Sequence, residues 1–297
     1  MSEDEWTIGK LLEWTKDYLA KSGSESPRLD AEVLLAHAKK CKRIELYTTF
    51  DEVADESVRT TFRNLVRQRA EGTPVAYLVE SREFYSLPFF VNSAVLIPRP
   101  ETEFLVIRLL DLAKTLDKKE LSIVDVGTGS GVIAICAAIY LPESRIVAVD
   151  ASEEALEVAK ANAITHGVAD RIEFVNGDLL GGVSNRAPFD FILSNPPYVS
   201  ESEYAELDVQ VKDHEPRLAL VAGPTGTEVI ERLIPQAADM LETGGSLIME
   251  ISPMIHAAVI ELLASDERFG PSHTTQDLAK HPRIVDASRI GKVPTST

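Results

Sequence analysis

Cysteine is scarce in this chain of 297 residues, which contains only two. Cys41 and Cys136 lie far apart in the sequence, so they provide neither a disulfide framework nor the close spacing of a metal site. We therefore expect no disulfide bond and no bound metal. Cys136 lies in an apolar segment, where a thiol behaves as a small hydrophobic group, and we expect it in the core.

Long hydrophobic runs are also missing. No apolar stretch approaches the roughly 18 residues that a membrane-spanning helix needs. Residues 1–5, MSEDE, are acidic, whereas a signal peptide begins with basic residues. These features predict a cytoplasmic protein with no membrane partner.

Basic residues are outnumbered, with 30 lysines and arginines against 47 aspartates and glutamates and a net charge of -17. Sequence-independent binding to nucleic acid depends on cations that neutralise phosphates, so free nucleic acid is a disfavoured partner. Several arginines do fall on one predicted helix, and we expect them to form its solvated face. They are Arg59, Arg63, Arg67 and Arg69.

The pattern of hydrophobic residues changes twice along the chain. Residues 1–75 follow the period of helices, with one helix predicted over 56–70, and we assign them to a helical domain that docks the substrate. Residues 76–103 mix aromatic and β-branched residues with proline and asparagine, which predicts a β-hairpin and a linker. Residues 104–297 alternate between strands and helices and are predicted to form the catalytic domain.

The alternation from residue 104 onward predicts an α/β fold with a doubly wound, mostly parallel sheet. Strands are expected at 122–126, 145–149, 171–175, 189–193 and 246–251, and helices at 132–140, 153–166 and 227–241. Ligands of such sheets bind at the carboxyl ends of the strands. The segments that follow these strands are therefore the candidates for a site.

A glycine-rich segment, Gly127-Thr128-Gly129-Ser130-Gly131, follows the first of these strands and leads directly into a predicted helix. Glycine lets the backbone turn tightly and approach a ligand closely. The third glycine comes one residue earlier than in the dinucleotide pattern G-x-G-x-x-G. The shorter loop disfavours NAD and suits a ligand without phosphates, such as S-adenosylmethionine.

Acidic residues follow the next two strands. Asp150 ends the second strand, where a carboxylate can accept hydrogen bonds from both hydroxyls of a ribose. Asp178 follows the third strand and is a candidate partner for an adenine amino group or another polar edge. Leu179 lies beside it and can pack on the ring.

The fourth strand leads into Asn195-Pro196-Pro197-Tyr198. Two consecutive prolines can continue neither a strand nor a helix, so the backbone is stiff where the strand ends. The Asn195 side-chain oxygen and the Pro196 carbonyl can together accept both hydrogens of a planar NH2 group. Holding that group toward an electrophile is catalysis by orientation. An ordinary turn containing asparagine and proline is the alternative.

With these motifs the chain resembles the protein-(glutamine-N5) methyltransferases that modify peptide chain release factors, the HemK/PrmC family. The similarity covers nearly the whole length and includes EGTP at 71–74, IPRPETE at 97–103, DVGTGSG at 125–131, VD at 149–150 and SNPPY at 194–198. The NPPY motif is shared with adenine and cytosine amino methyltransferases of DNA. The IPRPETE segment is narrower, because the related ribosomal-protein glutamine methyltransferases differ there.

The resemblance implies S-adenosylmethionine as the cofactor, release factors as the partners and the glutamine of a Gly-Gly-Gln motif as the substrate. It assigns Gly127 to Gly131, Asp150, Leu179 and Asn195 to the cofactor, and Asn195, Pro196, Pro197 and Tyr198 to the glutamine amide. Arg99 and Glu101, from the IPRPETE segment, are assigned to substrate binding. The residues after Glu250 and Ala279 depart from the family pattern, and we expect His281 at the surface.

Other functions are compatible with the same motifs. A glutamine methyltransferase acting on a ribosomal protein would share the acceptor motif. A nucleic-acid amino methyltransferase would bind a base there, although the acidic charge and the lack of a recognisable DNA-binding module count against it. A non-catalytic protein that senses the cofactor would use the helical domain for docking, but it would have no need of paired amide acceptors.

Overall fold

The computed structural model describes residues 5–291 and places them in two units. Unit 1 contains the residues up to Ser81 together with Asp208–His214. Unit 2 contains Arg82–Leu207 and the residues from Glu215 onward. Unit 1 therefore extends past residue 75 and takes in a segment from much later in the sequence, while unit 2 includes most of the predicted hairpin.

The helices are α1 (Ile8–Lys21), α2 (Pro27–Lys39), α3 (Glu45–Thr48), α4 (Glu56–Ala70), α5 (Val75–Leu78), α6 (Glu103–Ala113), α7 (Val132–Tyr140), α8 (Glu153–Thr165), α9 (Glu201–Glu206), α10 (Val209–Lys212), α11 (Glu228–Met240) and α12 (His256–Ser265). The strands are β1 (Ser81–Phe84), β2 (Leu87–Phe90), β3 (Ser122–Val126), β4 (Arg145–Asp150), β5 (Ile172–Asn176), β6 (Phe189–Ser194), β7 (Val199–Ser200), β8 (Val221–Gly223), β9 (Leu241–Glu250), β10 (His273–Gln276) and β11 (Pro282–Ser288).

Unit 1 is built on α1, α2 and α4, which pack around one apolar core. The helix predicted over 56–70 has those bounds in the structure. The segment that carries α10 packs into this unit, since a β carbon placed on Gly72 would lie 3.5 Å from Val209 Cγ1 and from His214 Nε2. The named elements in the described part of unit 1 are thus all helices, apart from the start of the hairpin.

The prediction of a solvated arginine face on α4 is wrong for Arg69. Its side chain is buried, and its Nε atom lies 2.7 Å from Asp30 Oδ2 on α2. The reason is helical spacing, because Arg69 continues the buried stripe of Phe62, Leu65 and Val66 at i+7, i+4 and i+3. A charge on that stripe must be paired, and Asp30 provides the partner.

The hairpin is shorter than the sequence suggested. Val75–Leu78 forms a helical turn instead of a strand, and it follows Pro74, a residue suited to the start of a helix. The strands β1 and β2 are joined by Tyr85 and Ser86, which have φ of 52° and 61°. Two left-handed residues match the twist of a two-residue hairpin.

Among the described residues, unit 2 contains a seven-stranded sheet with the order β10-β11-β9-β6-β3-β4-β5. The five strands from β9 to β5 run parallel, which confirms the doubly wound prediction. Two further strands extend one edge and were not predicted: β11 runs antiparallel to β9, and β10 runs antiparallel to β11. Helices cover both faces of the sheet, and alternate residues of each central strand point into one core or the other.

The register of the parallel strands brings the predicted site residues to one level. Val126 is paired with Val149 on β4 and with Ser194 on β6, and Ser194 is paired with Met249 on β9. The next residue along each strand therefore reaches the same end of the sheet. Those residues are Gly127, Asp150, Asn195 and Glu250.

A buried side chain on α8 connects strand β2 of the hairpin to the glycine-rich loop after β3. Asn162 on α8 accepts a hydrogen bond from Phe90 N at 2.7 Å and donates to Phe90 O and to Ser130 O at 2.9 Å each. This amide therefore joins β2 to the glycine-rich loop. Cys136 is fully buried in α7, as expected. Across residues 5–291, no helix has the length and apolar character needed to cross a membrane.

We expect the Arg69→Ala substitution to destabilise unit 1 by about 3–5 kcal/mol, because it leaves the Asp30 carboxylate buried without its cation. Urea unfolding monitored by tryptophan fluorescence measures this unit directly, since Trp6 and Trp14 are the chain's two tryptophans. Arg67→Ala on the exposed side of the same helix is the matched control and should change stability by less than about 0.5 kcal/mol. Equal losses in the two variants would contradict a structural role for the buried pair.

Candidate active site

The loop between β3 and α7 depends on its glycines. Gly127, Gly129 and Gly131 have φ of 73°, 54° and 83°, a region that side chains rarely adopt. A β carbon on Gly129 would meet nothing within 4 Å, so the loop faces open space there. At Gly131 it would lie 3.1 Å from Ala159 Cβ, so this glycine permits close packing of α7 against α8.

A buried carboxylate lies under the loop. Asp125 Oδ2 accepts hydrogen bonds from Thr128 Oγ1 at 2.6 Å and from Ala134 N at 3.2 Å, while Oδ1 has no partner among the described residues. Burial raises the pKa of Asp125 to about 7, and nearby Asp150 contributes in the same direction. Sequence reasoning included Asp125 in a motif without giving it a role. Its position two residues before the first glycine of the loop could have indicated such a role.

Asp150 lies beside the loop, at the end of β4. Its Oδ2 accepts a hydrogen bond from Gly129 N at 2.8 Å and its Oδ1 accepts one from Ser152 N at 2.9 Å. Burial raises its pKa, and these backbone donors oppose the rise. The carboxylate therefore helps hold the loop, and each oxygen keeps a second lone pair for a ligand hydroxyl.

A cavity of about 570 Å³ opens over these strand ends, within the usual size range of small-molecule sites. The predicted residues on its wall are Arg99, Gly127, Thr128, Gly129, Ser130, Asp150, Asp178, Leu179, Asn195 and Pro197. The remaining predicted residues, Glu101, Gly131, Pro196 and Tyr198, are not part of the wall. The structure thus brings most of the predicted cofactor residues around one cavity.

The three arginines on the cavity wall are each paired with a carboxylate. Arg99 Nη2 lies 2.6 Å from Glu215 Oε1, Arg217 Nη2 lies 3.0 Å from Glu201 Oε1, and Arg232 contacts Asp178. A polyphosphate site would need cations that are available to neutralise the ligand. The wall therefore suits a ligand without phosphates.

The candidate residues for an adenine lie at one side of the cavity. Leu179 is half-buried with φ of 52°, an uncommon conformation for a branched residue, and it packs against the core of that face. Asp178 is exposed and forms an ion pair with Arg232 on α11. The sequence analysis proposed both residues for the site and did not anticipate the arginine.

The acceptor motif begins at Asn195, whose Nδ2 donates to Thr102 Oγ1 at 3.1 Å. Thr102 in turn donates to Glu250 Oε2 at 2.6 Å, and Tyr198 Oη donates to Glu250 Oε1 at 3.3 Å. We call these four side chains the Glu250 network. It joins the IPRPETE segment, the NPPY segment and the end of β9.

Glu250 is the titratable centre of this network and is almost fully buried. Burial raises its pKa to about 7, against the effect of the hydrogen bonds from Thr102 and Tyr198. Burial also raises the pKa of Tyr198, so its hydroxyl keeps its proton. Neither Thr102 nor Glu250 was predicted as a site residue. Both residues could have been recognised from their positions in the sequence, since Glu250 ends a parallel strand and Thr102 lies within the IPRPETE segment.

Arg99 and Glu101 have different surroundings. Arg99 is held by Glu215, a buried residue that also accepts a hydrogen bond from Ile97 N at 3.1 Å. Glu215, which directly follows the segment Asp208–His214, thereby holds the IPRPETE segment in place. The sequence analysis did not identify Glu215 as a site residue. Glu101 is half-buried and raises the pKa of Glu250 by its charge. His281 is exposed, as predicted, with its backbone N–H bonded to Asp277.

Two family models match the chain. The one described as "PrmC N-terminal domain" matches residues 10–79, and the one described as "Methyltransferase small domain" matches residues 108–212. The two matches fall largely in unit 1 and unit 2, respectively.

Curated relatives match over nearly the whole length. The release factor glutamine methyltransferase of Rhodopirellula baltica is 49% identical over 96% of this chain and 97% of its own. That of Chlorobaculum tepidum is 41% identical over 95% of this chain and 97% of its own.

Solved structures share the fold over much of this chain at low identity. The hMettl16 catalytic domain, in complex with the MAT2A 3′UTR hairpin 6, has a TM-score of 0.56 and 18% identity over 77% of this chain and 84% of its own. The Thermus thermophilus 16S rRNA N2 G1207 methyltransferase RsmC has a TM-score of 0.52 and 17% identity over 70% of this chain and 49% of its own.

The parallel sheet with its glycine-rich loop, the match to a methyltransferase domain and the shared architecture define the class I methyltransferase fold. Within this class, relatives 49% and 41% identical over nearly their whole length decide the family. The chain belongs to the release factor glutamine methyltransferases.

The raised pKa of Glu250 predicts how stability changes with pH. Above about pH 4.5 the unfolded chain ionises this residue while the folded protein keeps it protonated up to about pH 7, so folding stability falls over that interval. Glu250→Gln removes the titration. Its free energy of unfolding relative to wild type should rise by up to about 3 kcal/mol between pH 4.5 and 7 and then level off.

Urea unfolding across that pH range measures the difference. Glu261→Gln, at an exposed position on α12, is the control and should follow the wild type at every pH. A constant difference between Glu250→Gln and wild type would mean that Glu250 titrates in its ordinary range.

Proposed function

We propose that this protein transfers a methyl group from S-adenosylmethionine to the side-chain amide nitrogen of the glutamine in the Gly-Gly-Gln motif of peptide chain release factors. The family membership supports the reaction class. The orientation of the Asn195 amide carries the proposal, because it makes this site suited to an NH2 acceptor.

The cavity fits the cofactor. The open side of Gly129 allows close approach of a ligand to the backbone, Asp150 offers lone pairs to ribose hydroxyls, and Leu179 offers an apolar surface to adenine. Asp178 is the partner proposed for a polar edge of that ring. When bound, S-adenosylmethionine supplies an electrophilic methyl group on a sulfonium.

Asn195 and Pro196 orient the substrate amide. Because Asn195 Nδ2 donates to Thr102, its Oδ1 is the end of the side chain left to accept a hydrogen bond from the substrate. The Pro196 carbonyl is the second acceptor in this proposal. Two N–H bonds held in this way fix the nitrogen and favour the pyramidal geometry that exposes its lone pair.

Tyr198 closes the acceptor site on the protein side. Its ring packs against the apolar core that contains Ile192 and Met249, and its hydroxyl donates a hydrogen bond to Glu250. It would exclude water from the amide plane. An amide nitrogen that has gained a methyl group becomes strongly acidic, so its proton can leave to water after the transfer and the mechanism needs no strong base.

Unit 1 is proposed to dock the release factor. Several large apolar side chains of this unit are exposed, which is typical of a protein-binding surface. They are Trp14, Tyr18, Leu29, Ile44, Tyr47, Phe50 and Val53. Contacts remote from the reacting amide would supply much of its effective concentration at the site.

A methylation assay with labelled S-adenosylmethionine tests the function. The substrates are an intact release factor, the same factor with Gly-Gly-Glu in place of its Gly-Gly-Gln motif, a ribosomal protein preparation, duplex DNA and a short Gly-Gly-Gln peptide. We expect label only on the intact factor at a useful rate and a much lower kcat/KM on the peptide. Preferred labelling of the ribosomal proteins or of DNA would overturn the proposal, and equal kcat/KM for peptide and factor would remove the docking role of unit 1.

Cofactor binding should depend on Asp150. Asp150→Ala removes charge-assisted acceptors and loosens the loop at Gly129, and we expect affinity for S-adenosylmethionine to fall at least about tenfold. Isothermal calorimetry measures it. Asp170→Ala, exposed at the opposite end of the sheet, should bind normally. Unchanged affinity in Asp150→Ala would mean that the cofactor binds elsewhere.

The amide acceptor should matter for chemistry more than for cofactor binding. Asn195→Ala removes an interaction that strengthens as the nitrogen becomes pyramidal, so kcat should fall by about 10²–10³, by analogy with the loss of an oxyanion-hole donor. The dissociation constant for S-adenosylmethionine should change by less than about tenfold, on the scale of one neutral hydrogen bond. Full turnover by this variant would exclude Asn195 from the mechanism.

A further inference from the structure

We propose that Glu250 is a positioning residue that sets which end of the Asn195 amide faces the substrate, acting through the hydroxyl of Thr102. The role in catalysis rests on the proposed function, whereas the role in orienting Asn195 is a property of the protein alone. Glu250 itself is separated from the acceptor by Thr102 and by Asn195, so it is not expected to touch the reacting atoms.

The positions of the hydrogen atoms in the Glu250 network determine which way the Asn195 amide faces. An ionised carboxylate can only accept, so the Thr102 hydroxyl must donate its single hydrogen to Glu250 Oε2, 2.6 Å away. Thr102 Oγ1 is then an acceptor toward Asn195. An amide offers a donor only at its nitrogen, so Nδ2 faces Thr102 and Oδ1 faces away.

Protonation of Glu250 removes this constraint. A neutral carboxyl can donate to Thr102 Oγ1, which frees the threonine hydroxyl to donate to Asn195 Oδ1. The Asn195 amide would then present its NH2 group to the substrate's NH2 group, and two donors cannot pair. Only the ionised form of Glu250 therefore enforces the orientation needed for the reaction.

Burial and the groups around Glu250 determine the pH at which it gains its proton. Burial raises the pKa to about 7, and the charge of Glu101, just before α6, acts in the same direction. The hydrogen bonds from Thr102 and Tyr198 and the charge of Arg283 on β11 lower it. The network is thus poised to change near neutral pH, and kcat should fall as pH decreases through that region.

Thr102→Val tests the connection without disturbing the shape of the side chain. We expect kcat for the release factor to fall at least about tenfold, with the dissociation constant for S-adenosylmethionine changed by less than about threefold. Thr102→Ser keeps the hydroxyl and should recover most of kcat. Thr15→Val removes a buried hydroxyl that has no hydrogen-bond partner among the described residues, and it should leave kcat unchanged.

A double-mutant cycle separates positioning from a general structural effect. If Thr102 acts only through Asn195, the Thr102→Val change should cost less than about twofold in kcat when Asn195 is already alanine. A loss in the double variant equal to the product of the two single losses would overturn the proposal. So would full kcat in Thr102→Val while the wild type methylates the release factor.

The orientation can also be measured without any substrate. In protein labelled with ¹⁵N-asparagine, the Asn195 side-chain NH2 signals are assigned by their absence in Asn195→Ala. In the wild type these signals should shift with pH around neutrality, and in Thr102→Val and Glu250→Gln they should not. The proposal would be overturned if the Asn195 NH2 chemical shifts did not change with pH in the wild type, or if they changed equally in Thr102→Val. This test holds whatever substrate the enzyme uses.

Discussion

The register of the parallel strands is the constraint on which the site depends. Backbone hydrogen bonds pair Val126, Val149, Ser194 and Met249 across neighbouring strands, and the four residues that follow them reach the same level. A shift of one residue in any strand would turn its side chains to the opposite face. The apolar cores on both faces prevent such a shift, so packing far from the cavity fixes the position of every polar group in it.

Carboxylates are concentrated at this end of the sheet at a cost in stability. Asp125, Asp150 and Glu250 all have raised pKa values, and burial is the largest cause in each case. None of them is paired with a lysine or arginine at hydrogen-bond distance in the described structure; their partners are backbone N–H groups and hydroxyls. Active sites often reduce folding stability in this way, because they keep ionisable groups buried where their charged forms are poorly solvated.

Much of the fold followed from local sequence. The strands 122–126 and 189–193 were predicted from apolar runs, and the glycine-rich loop, Asp150 and Asn195 from their position after strands. Arg69 was misassigned because charge was given more weight than helical spacing. Thr102 and Glu250 were not predicted because they are 148 residues apart, and only the folded sheet brings a threonine hydroxyl to a carboxylate at the end of β9. The strands β10 and β11 were also missed, because β10 is short and polar and β11 begins with proline and contains Arg283 and Asp286.

The composition of unit 1 has a consequence for how the two parts of this enzyme can evolve. The chain passes from one unit to the other after Ser81, after Leu207 and after His214, so the helical unit is encoded by two separate stretches of the gene. A single recombination event near residue 81 would give a new N-terminal unit but would keep the old segment Asp208–His214. That segment would then face a surface to which it is not matched. Exchange of the whole unit requires three coordinated junctions, which favours inheritance of both units together and gradual joint change of their sequences.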